Sequence, residues 1–203
     1  MLESAYRLAL WEAKMNLAKR SFSGTVMLIG SLSGFLASFL LTVDKIALLK
    51  DSQFVPACNI SEILNCKSVM LSEQAEVFGF PNSLIGIAAF AIFVALAIAL
   101  LSGVTFKSWY WWVALLGVGA AVLFSHWLAF QTAFVIGALC PYCMVAWAGT
   151  LLIFSSVIQE ILRPRTESDM GGEESVAKIM NLMPPFHILW LAMLIGAAFL
   201  GVS

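Results

Sequence analysis

Four cysteines carry the most conspicuous chemistry in this chain, and they fall into two pairs: Cys58 with Cys66, and Cys140 with Cys143. The second pair belongs to Cys140-Pro141-Tyr142-Cys143, a CxxC at the start of a predicted helix. Free amides and the dipole at a helix N-terminus favour a thiolate. Two intervening residues let a disulfide open and reclose with little backbone movement, which suits redox cycling better than stapling. Cys58 and Cys66 have seven residues between them, in a segment with room to move. A static bridge there closes a small ring and stabilises only modestly. Three readings are open. Two communicating redox pairs exchange by thiolate attack through mixed disulfides. Two inert disulfides only hold the chain together. A Cys₄ zinc site is the third, but the first pair lacks zinc-ribbon spacing, and we expect no metal. Spacing alone leaves open all three full pairings of four cysteines.

The elements that position these thiols are set by composition. Of 203 residues, 61% are hydrophobic and 11% charged, with a mean hydropathy of +0.94. A soluble domain is nearer half apolar and a quarter charged, and a chain this short cannot hide such an excess from water. Disorder needs the opposite composition. A net charge of −1 argues against a nucleic-acid partner. The expectation is an all-α integral membrane protein.

A membrane helix needs about 20 apolar residues. Qualifying runs lie at 24–43, 83–103, 109–135 and 140–160, and a shorter fifth run at 186–203. The core is expected over 24–160, with a long outer loop at 44–80 and a flexible linker at 161–185. No cleavable signal peptide is visible. Segment 1–23 reads as cytoplasmic, either an interfacial helix with Leu2, Tyr6, Leu10, Ala13 and Leu17 near helical spacing, or a solvated tail. With the N-terminus inside, eight basic residues face the cytoplasm and three (Lys45, Lys50, Lys67) face out, as the positive-inside rule prefers. All four cysteines then share the outer, oxidising compartment. In the outer loop, Ile60, Ile63 and Leu64 have helical spacing and predict a short amphipathic segment capping the bundle.

Electrons entering such thiols need an exit. No haem, flavin or iron–sulfur signature is visible, and the two histidines, His126 and His187, are far apart in the expected layout. A lipid-soluble quinone, menaquinone or ubiquinone, is the natural acceptor for a dithiol at the membrane.

The chain resembles the vitamin K epoxide reductase family, its bacterial members most closely. The resemblance rests on the spacing of the loop cysteines, on Val77-Phe78-Gly79-Phe80-Pro81-Asn82-Ser83-Leu84-Ile85-Gly86, and on Gly137-Ala138-Leu139-Cys140-Pro141-Tyr142-Cys143. It implies a four-helix bundle around a quinone pocket, capped by the outer loop. It implies that Cys143 reacts with the quinone and Cys140 pairs with Cys143. Cys66 then exchanges with Cys140, and Cys58 meets a thioredoxin-like or DsbA-like partner. Ser72 matches the family's serine after the second loop cysteine, with Ser68 the weaker match. Asn82 matches a residue that hydrogen-bonds the quinone carbonyl in vertebrate members; as an asparagine it also suits a helix N-cap. Trp147 stands where those members have a tyrosine, four residues past Cys143. Its indole N–H donates a hydrogen bond but cannot act as a phenol, which counts against epoxide reduction more than quinone reduction. Many bacterial relatives carry a thioredoxin-like domain after the fifth span. This sequence stops at Ser203, so the expectation is a separate partner or a truncated chain.

Other residues have plainer readings. His126 is expected as a neutral histidine bonded to a neighbouring helix, ahead of a proton relay. The Trp109–Trp112 cluster reads as an interfacial belt, and Trp127, Phe130 and Phe134 as bundle packing. Asp44 and Lys45 read as a membrane boundary, Glu73 and Glu76 as solvated. The function expected is disulfide generation in the bacterial inner membrane, with a partner thiol pair as donor and quinone as acceptor. Vitamin K epoxide or quinone reduction for another pathway is the near alternative. A non-enzymatic membrane protein with structural disulfides is the distant one.

Overall fold

In lipid every backbone N–H and C=O must be satisfied within the segment, so apolar runs of this length fold as helices. The computed structural model describes residues 2–162, with side chains from Ser21 onward, together with the isolated helical positions Ala192 and Gly196. The expected linker beyond Leu162 and the fifth span at 186–203 therefore lie outside the described residues, those two positions aside.

Helix α1 runs over Leu2–Lys50, α2 over Cys66–Met70, α3 over Asn82–Leu101, α4 over Ser108–Gln131 and α5 over Pro141–Ile161. Among the described residues four segments are long and apolar enough to cross a membrane: Ser21–Lys50, Asn82–Leu101, Ser108–Ile136 and Pro141–Ile161. The protein is a multi-pass membrane protein. Successive spans alternate in direction, so the end of α1, the start of α3, the end of α4 and the start of α5 meet at one end of the bundle. Helix α1 packs against both α3 and α5, and α4 packs against α5.

Two of the expected boundaries move. Segment 1–23 is not a separate backbone element, because one helix of 49 residues continues through it into the first span. The outer loop does not begin at 44 either. Thirty residues from Ser21 to Lys50 extend roughly 45 Å, well beyond a hydrocarbon core of about 30 Å. The extra turns bury Leu41, Lys45 and Leu48 against the cap, a spacing that puts all three on one helix face. Lys45 therefore belongs to the interior of the cap, and the loop proper starts at Asp51.

The interior divides in two. Away from the cysteines, Met27, Phe90, Leu96, Trp111, Ile153 and Val157 form one buried cluster, with Ser23 of α1 donating a hydrogen bond to the buried carboxylate of Glu160 on α5. At the other end Leu41, Leu48, Met70, Cys58, Cys66 and Cys140 form a second. Between the two clusters α1 and α5 cross at Gly30 and Gly149, where a methyl group on either glycine would lie within 2.8 Å of the other's carbonyl oxygen.

The aromatic residues of α4 divide differently from the expectation. Trp109 and Trp112 face outward and Trp111 is buried, so only part of that cluster can form a belt. Trp127, Phe130 and Phe134 are each 41–50% exposed on the bundle surface. They pack along the outer face of the bundle, Trp127 stacked on Phe124 and Phe130 against Phe134, rather than in its interior.

Candidate active site

The loop 51–81 folds down onto the mouth of the bundle. The predicted helix at 60–64 is absent. Instead the Ile60 and Ser61 N–H groups donate to Leu64 O, and the Leu64 N–H bonds Ser61 Oγ at 3.0 Å, a local side-chain turn that competes with helix. Residues 63–65 are extended and pair with the segment before the CxxC. Leu139 N donates to Ile63 O at 2.7 Å, and Asn65 N donates to Leu139 O at 2.9 Å, forming a parallel bridge between Leu64 and Leu139. This bridge puts the residues just before Cys66 alongside those just before Cys140. Asn65 then caps α2, its Oδ1 accepting from Ser68 N at 3.0 Å, and Cys66 is the first residue of that helix.

Cys58 and Cys66 form a disulfide with Cα atoms 5.8 Å apart, whereas Cys140 and Cys143 are free thiols. Cys58 is only 3% exposed and Cys66 fully buried. Exposed Val55, Ala57 and Ile60 surround Cys58 in sequence.

The CxxC is built by three local features. Helix α4 ends in a π-turn over Thr132–Ile136, closed by Gly137 in the left-handed region at φ +69°, where a side chain would be strained. The chain reverses into the Leu139 bridge. Pro141 then takes the first position of α5, where its missing N–H removes no helical bond, and Cys140 becomes the N-cap, its Sγ accepting from Cys143 N at 3.3 Å. The Cys140 thiol is held below its ordinary value, chiefly by the hydrogen bond from the Cys143 side chain and further by the Cys143 and Tyr142 amides. Burial and the Asp44 charge oppose this without reversing it. In Cys143→Ala the strongest of these donors is gone, so the Cys140 thiolate should form at higher pH than in wild type. Thiolate ultraviolet absorbance across a pH series measures this, and an unchanged or lower midpoint contradicts it.

Both free thiols line a cavity of about 480 Å³, within the roughly 300–1,000 Å³ of small-molecule sites. Its walls come from α1, α3, α4 and α5 and are mostly apolar, with Leu41, Phe78, Phe90 and Phe124 among them. Ser72, Asn82 and Trp147 line it too. Ser72 Oγ donates to Val69 O at 2.7 Å. Ser68 is exposed and does not line the cavity. Asn82 is not the N-cap of α3. Pro81 holds that position, and Asn82 Nδ2 instead donates to Gln74 O at 2.7 Å. Its Oδ1 is buried with no hydrogen-bond partner among the described residues. Trp147 turns its Nε1 to within 3.4 Å of His126 Nδ1, ring against ring at 83°. The same His126 nitrogen lies 2.8 Å from Val122 O. The histidine thus meets both its own helix, at Val122 O, and the neighbouring α5, through Trp147.

The apolar walls, the thiols and the one orphaned acceptor together fit a quinone and its reduced form. As the amide stands, Asn82 Oδ1 suits the hydroxyl of a quinol; exposing Nδ2 to a quinone carbonyl requires the amide to leave Gln74. No cluster of three or more His, Cys, Asp or Glu side chains able to hold a metal occurs among the described residues.

Sequence reasoning missed Lys45. Its Nζ donates to Met70 O at 2.8 Å and pairs with Glu76 Oε1 at 2.8 Å, so Lys45 is not the boundary charge expected, while Glu76 is paired yet still 38% exposed. A charge two residues past the end of the predicted span at 24–43 is the only signal that pointed there.

Among the described residues, fold and site define a membrane protein with four spans and two cysteine pairs at one end of an apolar cavity. Residues 25–158 match the vitamin K epoxide reductase family, and the chain belongs to that family. Its class is therefore membrane oxidoreductases of the quinone and vitamin K epoxide type. No curated protein matches the chain.

Proposed function

We propose that this protein oxidises the thiols of a thioredoxin-like or DsbA-like partner and delivers the electrons to menaquinone or ubiquinone, supporting disulfide formation outside the cytoplasm. The observation that carries this reading is the shared position of the two cysteine pairs. Cys140 and Cys143 open onto the apolar cavity, while the backbone bridge at Leu64 and Leu139 brings the Cys58–Cys66 segment beside them. The excess of basic residues on the side of the N-terminus supports an N-in orientation in a bacterial inner membrane, with the cysteines in the oxidising compartment.

The residues divide the work. The partner dithiol reduces Cys58–Cys66. The Cys66 thiolate attacks Cys140 Sγ of an oxidised Cys140–Cys143 pair, forming Cys66–Cys140 and releasing Cys143 as thiolate. Cys58 then attacks Cys66, restoring the loop disulfide and freeing Cys140. A bound quinone accepts the electron pair and leaves as quinol. Cys140 and Cys143 supply that pair as they reclose, the cavity walls exclude water, and Asn82 orients the ring oxygen. Trp147 in place of a phenol, with its N–H turned to His126, favours quinone over epoxide as the substrate.

The test compares two donors with purified protein under anaerobic conditions. Cys66→Ser should lose quinol formation with a reduced thioredoxin-like protein and keep it with a small dithiol that reaches the cavity. Full activity of Cys66→Ser with the protein donor would remove the loop pair from the route.

A further inference from the structure

We propose that Lys45 is the positioning residue that keeps Cys66 aimed at Cys140 while the loop disulfide is open; this rests on the electron route proposed above. Helix α2 has five residues, far too few to hold itself by helical propensity, so its placement depends on its two ends. The N-terminal end is tied by the Cys58–Cys66 disulfide and by Asn65 N donating to Leu139 O. The C-terminal end is tied by Lys45, whose Nζ reaches Met70 O, the last carbonyl of α2, at 2.8 Å. The same ammonium pairs with Glu76 in the 3₁₀ turn over Glu73–Glu76 that follows. Lys45 itself stands on the rigid span α1 and is 7% exposed. A lysine buried this deeply stays in place because a carbonyl and a carboxylate satisfy it.

The exchange step loosens this arrangement at one end. When the partner reduces Cys58–Cys66, the covalent tether at the start of α2 is gone, and Cys66 must still meet Cys140 Sγ. Of the ties that remain, Lys45 supplies the directional, hydrogen-bonded link from a membrane span to α2, beside the apolar packing of Val69 and Met70 with Leu41 and Leu48. The lysine touches neither sulfur and takes no part in bond making. It limits how far a freed Cys66 can wander, which raises its effective concentration at Cys140.

The experiment reads disulfide closure directly, by gel shift after diamide oxidation of the full-length protein in detergent. In Cys58→Ala/Cys143→Ala the remaining thiols close as Cys66–Cys140, the two thiols being oxidised as diamide is reduced to the hydrazine. Adding Lys45→Met should slow that closure about tenfold, and Lys45→Arg, which can bond the same carbonyl and carboxylate, should restore most of the rate. In Cys140→Ala/Cys143→Ala the loop pair closes locally as Cys58–Cys66, and Lys45→Met should leave that rate unchanged. Equal Cys66–Cys140 rates with and without Lys45 would overturn the proposal. Parallel slowing of both closures would also overturn it, since the lysine would then merely hold the cap folded. Failure of Cys66–Cys140 to form with Lys45 intact would refute the electron route itself, and the positioning role with it.

Discussion

Replacing Cys143 by alanine should abolish quinol formation whichever donor is used, by on the order of a thousandfold or more, as removal of a reacting nucleophile does. Both thiols of the CxxC line the cavity, but they differ in what surrounds them. Cys140 is 2% exposed and serves as the N-cap of α5, its sulfur accepting the Cys143 amide. Cys143 lies one turn into the helix, is less enclosed and sits on the same face as Trp147. Without Cys143 the CxxC cannot close its own disulfide, so the pair of electrons it would pass to a quinone has no two-thiol source within the helix. The substitution removes a small side chain at a cavity wall, so the fold and the Cys58–Cys66 disulfide should survive, and a mobility shift on reduction checks that. Quinol production at the wild-type rate would take Cys143 out of the reaction and leave only the reading in which the disulfides are structural.

The second large effect concerns the fold. Gly149→Leu should lower the thermal midpoint in detergent by roughly 5–10 °C, the consequence of overpacking a close helix crossing. A Cβ at Gly149 falls 2.4 Å from Gly30 O and 3.3 Å from Gly34 N. These are backbone atoms of α1, which cannot rotate away as a side chain tip can, so the helices must separate. Separation of α1 from α5 also shifts the wall that carries Cys143 relative to the one that carries Leu41. Gly119→Ala is the matched control, because nothing lies within 4 Å of its Cβ position. A midpoint for Gly149→Leu equal to that of the control would show that the crossing is looser than the structure has it.

Much of this protein is legible along its sequence because lipid imposes a simple rule. Each span must be apolar for about 20 residues, and four such runs stand out whatever they pack against. Their number and order already bring the end of the first span and the start of the fourth to one end of the bundle, and so gather the cysteines. The CxxC announces its own chemistry through spacing, and together with the loop cysteines and the run Val77–Gly86 it resembles the family to which the chain belongs.

Tertiary structure decided the rest. Hydropathy is a property of a local window, and the cap is assembled from residues distant in sequence. Nothing near Lys45 indicates that Met70 and Glu76 will satisfy its charge, so the charge reads as a boundary when it is an interior tie. Ile60, Ile63 and Leu64 have helical spacing, yet the bridge to Leu139 and the Asn65 cap move the helix to Cys66–Met70. Asn82 has the chemistry of an N-cap, but Gln74 O claims its amide and leaves Oδ1 in the interior. Trp147 has a donor to offer a ligand, and His126 from the neighbouring helix stands in front of it. Membrane class and the resemblance to the family were therefore legible in the sequence alone, because each follows from composition or spacing within one stretch of chain. Which polar group meets which, and so the shape and polarity of the cavity that the thiols face, was decided only when separate stretches packed together.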